Sequence, residues 1–194
     1  YKPCVCPQYK MARLRKFVAY RTLERPYTRK SKYRTKNFVR AFPHNVIVRY
    51  VMGNPNRTFP VRLVLRSKTG CQVRSNSLES ARQVAVKHLE TSVGKANFFL
   101  RLHKFPHHIL RENPLASGAG ADRLSTGMKM SFGKPIGIAA QVQQGDIIFE
   151  VRSENEAVAK RALTLIRCKL PNGWSICAEP LTTCLLYTSD AADE

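Results

Sequence analysis

The residues with the clearest potential for chemistry lie in one glycine-rich stretch, Leu115–Pro135, which reads LASGAGADRLSTGMKMSFGKP. It holds four of the ten glycines of the chain, and its charged residues are Asp122, Arg123, Lys129 and Lys134. Glycine lets a backbone approach a ligand closely, and lysine and arginine neutralise phosphate charge. The glycine spacing nevertheless fits neither G-x-x-x-x-G-K-[ST] nor a G-x-G-x-x-G that follows a strand. We therefore interpret the stretch as a long functional loop, with a plain flexible insertion as the alternative.

Histidine and cysteine are the other residues that could bind a metal or act as nucleophiles. His103, His107 and His108 lie close together in sequence, but no carboxylate or thiol stands near them at zinc-ligand spacing. The six cysteines form no C-x-x-C pair, which is typical of reduced, unligated thiols. No nucleophile–base pair or paired carboxylates can be identified. We predict no metal, no cofactor and no enzymatic activity.

The charge of the chain points to a polyanionic partner. Lysine and arginine number 33 against 13 acidic residues, which gives a formal charge of +20. Because 43% of the residues are hydrophobic, this charge decorates a folded protein of 194 residues rather than a disordered tail. Nucleic acid and an anionic membrane are the candidates. No apolar run approaches the roughly 18 residues of a spanning helix, so we expect a soluble, intracellular protein without a membrane partner.

A basic arm, residues 11–43, precedes the first strand pattern. It combines eleven cations and six aromatic residues with a single acid, Glu24. Cations can neutralise phosphates while tyrosine and phenylalanine stack on bases, so we predict an extended arm that folds along RNA. A charged arm without an ordered partner is the alternative. The predicted RNA-binding cations are Arg13, Arg15, Lys16, Arg21, Arg25, Arg29, Lys30, Lys32, Arg34, Lys36 and Arg40.

The remaining chain alternates strand patterns with two helix patterns. The predicted strands cover 45–52, 59–67, 71–75, 96–104, 105–111, 135–143, 146–152 and 174–179. Capping boxes at Asn76/Glu79 and at Ser153/Glu156 predict helices that end near Gly94 and Arg167. Gln144-Gly145 predicts a hairpin between strands 135–143 and 146–152. This order indicates a single α+β domain with a largely antiparallel sheet and two helices.

The two ends differ in composition from the rest. Residues 1–10 precede a methionine that opens MARLRKF, and we interpret them as a non-native leader. Residues 184–194, CLLYTSDAADE, resemble the translation of a sequencing adapter and belong to a tail that starts at residue 180. The predicted organisation is therefore an arm over 11–43, a domain over 44–179 and a functional loop over 115–135.

Three stretches resemble a known protein family. They are LERPYTRKSKYRTKNFVRA near the start, HHILRENPLASGAGADRLSTGMKMSFGKPIGIAAQV in the middle, and KRAL with KLPNGWSI near the end. They are similar to the universal large-subunit ribosomal proteins of the L-sixteen/L-ten-e family, in its archaeal and eukaryotic branch. Gly118 stands where many eukaryotic members carry cysteine, which favours the archaeal side.

The resemblance implies an α/β-hammerhead-like fold and a cytoplasmic, ribosomal location. It further implies a protein that binds large-subunit rRNA, contacts neighbouring ribosomal proteins, and points its central loop at the peptidyl-transferase centre and tRNA. The matching loop residues are Arg111, Gly118, Gly120, Asp122, Arg123, Gly127, Met128, Lys129, Gly133 and Lys134. Two other interpretations stay open here: a free-standing RNA-binding or chaperone protein, and an RNA-modifying enzyme with the loop as a lid.

Overall fold

The computed structural model describes residues 14–24, 39, 41–113, 127–171 and 173–179. The predicted leader over residues 1–10 and the tail over 180–194 lie outside them. The chain divides into two compact units, each built around one antiparallel sheet. Tyr1–Val48, Thr69–Ser80 and Lys104–Gln144 make up the three-stranded unit. Arg49–Lys68, Ala81–His103 and Gly145–Glu194 make up the five-stranded unit.

The strands of the five-stranded sheet are β1 (Val51–Gly53), β2 (Val61–Ser67), β4 (Phe98–Leu102), β7 (Ile147–Ser153) and β8 (Trp174–Ala178). Their order across the sheet is β1-β4-β7-β2-β8. All neighbouring pairs are antiparallel. The three-stranded sheet has the order β3-β6-β5, with β3 (Cys71–Arg74), β5 (His108–Glu112) and β6 (Lys134–Val142), again antiparallel.

Two helices complete the described fold: α1 (Ser75–Ser92) and α2 (Glu156–Lys169). Each buries an apolar stripe at helical spacing, as the sequence predicts. The buried residues are Leu78, Ala81, Ala85 and Leu89 in α1, and Ala159, Ala162, Leu163 and Ile166 in α2. The predicted α+β class, the antiparallel pairing and the two helices are confirmed. Among the described residues, no helix combines the length and apolar character needed to cross a membrane.

Both predicted helix caps are wrong. Helix α1 begins at Ser75 directly after β3, so Asn76 lies inside the helix rather than before it. Helix α2 is capped by Asn155, whose side chain accepts hydrogen bonds from the backbone N–H groups of Ala157 and Val158 at 3.0 and 3.5 Å. Ser153 is instead the last residue of β7. Asparagine is as good an N-cap as serine, and the strand simply runs one residue further than its pattern suggested.

The predicted hairpin between 135–143 and 146–152 is also wrong. β6 pairs with β3 and β5, whereas β7 pairs with β4 and β2, so the two strands belong to different sheets. The strand predicted over 45–52 is reduced to Val51–Gly53. In the first part of the predicted strand, the side chain of Asn45 accepts a hydrogen bond from the backbone N–H of Ile47 at 3.1 Å. This local turn competes with strand pairing.

Candidate nucleic-acid interface

The glycine-rich loop leaves and rejoins the three-stranded sheet at a single point. Its flanking strands β5 and β6 are antiparallel neighbours, and Glu112 lies opposite Lys134 in their register. A bulge between Leu110 and Arg111 shifts the register, so that Arg111 faces Pro135. Bulges redirect side chains and often occur beside functional sites. The sheet therefore fixes both ends of the loop at adjacent backbone positions, a pairing that the sequence did not predict.

Gly133 closes the base of the loop, and no other residue fits there. Its φ of 79° lies in the left-handed region that glycine favours. A Cβ at position 133 would lie 2.7 Å from the backbone carbonyl carbon of Glu112. The returning chain thus passes against the outgoing one at a distance that only hydrogen can fill. Gly127, with φ 63°, similarly precedes a short 3-10 turn over Met128–Met130.

Arg111 braces the same point. Its guanidinium donates a hydrogen bond to the carbonyl oxygen of Phe132 at 3.0 Å and lies 3.9 Å from the centre of the Phe132 ring. A cation this close to an aromatic face is attracted to the ring as well as to the carbonyl. No sequence pattern pairs Arg111 with Phe132, which lies 21 residues further along the chain.

Glu112 connects the loop base to the basic arm. Its Oε1 accepts a hydrogen bond from Nε of Arg15 at 3.1 Å, while the Glu112 side chain is largely buried. The backbone oxygen of Arg15 also accepts a hydrogen bond from Nη1 of Arg74, in β3, at 2.9 Å. Arg15, predicted to bind RNA, is therefore already engaged by the three-stranded unit itself.

The rest of the described arm is anchored in the same way. Leu14 packs on Gly137 and Leu23 packs on Gly70. Gln72 and Gln141 donate side-chain hydrogen bonds to the backbone oxygens of Thr22 and Glu24. Further along, Val39 is buried with Ile109 and Ile138 in the core. Residues 14–24 of the predicted arm are thus held on the three-stranded unit by contacts with glycines and glutamines of its sheet.

The predicted RNA-binding residues divide into three groups. Arg15, Arg111, Gly127 and Gly133 shape the base of the loop and arm, as described above. The exposed ones are Lys16, Arg21, Met128, Lys129 and Lys134; the side chain of Met128 stands out at 75% exposure. The predicted residues outside the described ranges are Arg13, Arg25, Arg29, Lys30, Lys32, Arg34, Lys36, Arg40, Gly118, Gly120, Asp122 and Arg123.

His108, one of the three clustered histidines, lies buried in β5 at the start of the loop hairpin. Burial, and secondarily the positive charges of Arg111 and His107, lower the pKa of His108 to about 4. A neutral imidazole is therefore built into this strand. His103 belongs to the five-stranded unit and contacts Glu150 of the same unit. No group of three or more metal-ligating side chains occurs within the described ranges.

This buried imidazole predicts a pH-dependent stability. The unfolded chain binds a proton at His108 below about pH 6.5, whereas the folded chain does so only near pH 4. The free energy of unfolding should therefore fall as pH drops through this window, by up to about 3 kcal/mol. Denaturant titrations at pH 7 and pH 4.5 should show this loss, and His108→Gln should remove most of it. His44→Gln, an exposed histidine in the same unit, is the control and should leave the loss intact.

The five-stranded sheet carries a charged network that was not predicted from the sequence. Glu150 is 1% exposed. It accepts hydrogen bonds from Nε of Arg62 and Nε of Arg152 at 2.9 and 2.6 Å, and contacts Nε2 of His103 at 2.7 Å. Burial by itself would raise the pKa of Glu150, but the hydrogen bonds from His103, Arg152 and Arg62 and the charge of Arg152 lower it to about 2. The available signal was one acid inside the apolar strand IIFEVRS.

Comparison with known proteins gives a consistent result. The family model described as "Ribosomal protein L16p/L10e" matches residues 24–177. The chain is 44% identical over 166 residues to the "Large ribosomal subunit protein uL16" of Methanococcus maripaludis strain S2, covering 84% of this chain and 92% of that protein. It is 43% identical over 162 residues to the protein of that name from Archaeoglobus fulgidus, covering 82% and 90%. The corresponding protein of Staphylothermus marinus is 43% identical over 158 residues, covering 80% and 87%.

Proposed function

The chain belongs to the L16p/L10e family of ribosomal proteins, and we propose that it binds large-subunit rRNA and holds its glycine-rich loop beside the peptidyl-transferase centre and tRNA. It is an archaeal-type, non-enzymatic structural constituent of the large subunit and belongs to the cytoplasmic ribosome. The family likeness gives no support to the free-standing RNA chaperone that the charge alone would allow. Neighbouring ribosomal proteins are its expected further partners.

The construction of the loop base is the observation that carries this proposal. Gly133, Arg111 and Phe132 fix the point where the loop leaves the sheet, which gives a long insertion a defined origin. Lys129 and Lys134 are exposed at the returning end. A loop held in this way can present cations at a fixed place, and pre-positioning lowers the entropic cost of ordering on RNA.

The arm supplies the second part of the proposed mechanism. Arg15 and the flanking leucines tie the arm to the three-stranded unit, and Lys16 and Arg21 remain exposed beside them. The sequence of the arm contains eight further lysines and arginines. We infer that they neutralise rRNA phosphates and dock the protein, while the RNA itself carries out peptide-bond formation. The protein contributes charge and positioning.

Cosedimentation tests the assignment. Tagged protein expressed in an archaeal cell should migrate with large subunits on a gradient and stay with them after a high-salt wash. Protein that remains at the top of the gradient, or leaves the subunit at modest salt, would favour the free-standing RNA-binding alternative.

The arm also makes a quantitative prediction. Replacing Arg29, Lys30, Lys32 and Arg34 with alanine should reduce the slope of log affinity for rRNA against log salt by about two to four units, because each lost phosphate contact removes roughly 0.7 to 0.9. Filter binding between about 50 and 200 mM salt covers the relevant range. The control variant replaces four exposed cations of α2, Lys160, Arg161, Arg167 and Lys169, and so removes the same charge. Equal slopes in the two variants would show that net charge, and not the arm, governs binding.

A further inference from the structure

We propose that one face of the five-stranded sheet is a second RNA-binding surface, which takes the sugar–phosphate backbone of double-helical large-subunit rRNA. This inference rests on the proposed function and extends it to the other unit. The surface is defined by Arg62, Arg66, Arg101 and Arg152, and is called the arginine face below. None of these residues belongs to the arm or the loop.

Strand register and contacts place the four arginines on one face. Arg62 lies opposite Arg152, and Arg101 lies opposite Glu150. Residues directly opposite each other in antiparallel strands point to the same side of a sheet. Arg66 joins them through Glu179, which pairs with both Arg62 and Arg66. Alternation sends Leu63, Leu65 and Val151 to the opposite side, where they are buried.

The arginine side chains form the exposed layer of this face. α2 lies against β2, β7 and β8 and buries its own apolar stripe, so it packs on the side of the buried leucines. On the arginine face Val64, Ile148 and Glu150 are buried, whereas the side chains of Arg66, Arg152 and Arg62 are 39%, 32% and 20% exposed and Arg101 is exposed. The groups that this face offers to a partner are therefore its guanidinium groups, which match phosphate oxygens in geometry and charge.

The carboxylates on this face orient the arginines more than they neutralise them. Glu150 accepts hydrogen bonds from Nε of Arg62 and Nε of Arg152. Glu179 accepts one from Nε of Arg66, with a nitrogen–oxygen distance of 3.0 Å. Four guanidinium groups against two carboxylates leave an excess of two positive charges. A guanidinium fixed through Nε–H has already lost much of its rotamer freedom, so its terminal amino groups can bind phosphate at a smaller entropic cost.

The aromatic residue on this face argues for backbone contacts rather than base stacking. Phe99 lies opposite Arg152, is only 8% exposed, and has the Arg152 guanidinium 5.0 Å from its ring centre. Proteins that hold single-stranded nucleic acid stack bases on exposed rings. Here the ring is covered, and the groups offered to a partner are guanidinium forks, which match phosphate oxygens. Charge complementarity therefore favours the backbone of an RNA duplex.

The test compares Arg101→Gln/Arg152→Gln with Lys87→Gln/Lys95→Gln, which removes two exposed cations from the same unit. The probes are a base-paired RNA hairpin and single-stranded poly(U), in the intact chain. We expect the arginine-face variant to lose about one to two units of salt slope for the hairpin, about one per residue, with little change for poly(U). The lysine variant should change neither.

Equal behaviour of the two variants on the hairpin would overturn the inference, and so would an equal loss on poly(U). Because Arg152 contacts Glu150, Arg101→Gln alone is measured in parallel; it should keep the unfolding midpoint and still lose about one unit of slope. If the arm variant weakens rRNA binding and the arginine-face variants do not, only this inference fails. If neither weakens it, the proposed function fails too.

Discussion

Replacing Glu150 with glutamine should destabilise the five-stranded unit by roughly 3 kcal/mol at pH 7. The folded-state pKa of about 2 lies well below the ordinary value of 4.5, and each pKa unit corresponds to about 1.4 kcal/mol. Glutamine keeps the shape of the side chain but removes the charge that Arg62, Arg152 and His103 face. Without this carboxylate, the guanidinium groups of Arg62 and Arg152, whose side chains are 20% and 32% exposed, lose the charge that compensates their partial desolvation.

The chain provides its own reporter for this experiment. Trp174 is the only tryptophan, and it is buried in β8 of the same sheet. Guanidinium titration followed by its fluorescence should show a lower unfolding midpoint for Glu150→Gln. Glu154→Gln is the control, since its ion pair with Arg57 is about half exposed and should contribute no more than about 1 kcal/mol.

The pH dependence gives a second check on the role of Glu150. An acid with a lowered folded-state pKa stabilises the fold above its unfolded pKa, and this stabilisation is lost as pH falls towards the folded value. The difference between wild type and Glu150→Gln should therefore be constant above about pH 5 and shrink from about pH 4.5 towards pH 2. A variant as stable as wild type at pH 7 would show that the network contributes nothing net, as some buried ion pairs do.

Local patterns predicted the elements of this fold better than their partners. Both helices follow from apolar spacing, and α1 ends before Gly94, whose φ is 87°. Strand partners are set by contacts between distant residues: β2 joins β7 across Arg62 and Glu150, which are 88 residues apart. The turn at Gly145 looks like a hairpin turn, yet the N–H of Gly145 donates to Ser67 in another strand. Alternation shows that a strand has a buried face, not which neighbour covers it.

The candidate site shows the same division. The loop could be located from its glycines and from the strands on either side, because composition is a local property. Its bracing could not, because Arg15 and Glu112 are separated by 97 residues and Arg111 and Phe132 by 21. The positions of Arg111 and Glu112 depend on the β5–β6 register and its bulge, which no sequence pattern specifies. Residue types thus predicted that the loop contacts something, while the structure shows what holds its base.

Removing the loop should separate docking from function. In the proposed variant a short Gly-Ser linker replaces residues 117–131, while Arg111, Glu112, Phe132 and Gly133 keep the base intact. The sheet and the arm do not depend on the replaced residues for any contact described above. The melting temperature and rRNA affinity should therefore stay close to those of the wild type, and subunits should still assemble.

Translation by these subunits should nevertheless fall, because the loop is the part proposed to reach the tRNA end. Loss of one or two charge-assisted contacts corresponds to about 1.5–3 kcal/mol each, so peptide-bond formation or tRNA binding should drop by about tenfold or more. The full-length control Arg123→Gln/Lys129→Gln removes only two cations and should reproduce part of the loss if phosphate contacts are responsible. Assembled, loop-replaced subunits that form peptide bonds at the normal rate would show that the protein acts through its docking surfaces alone.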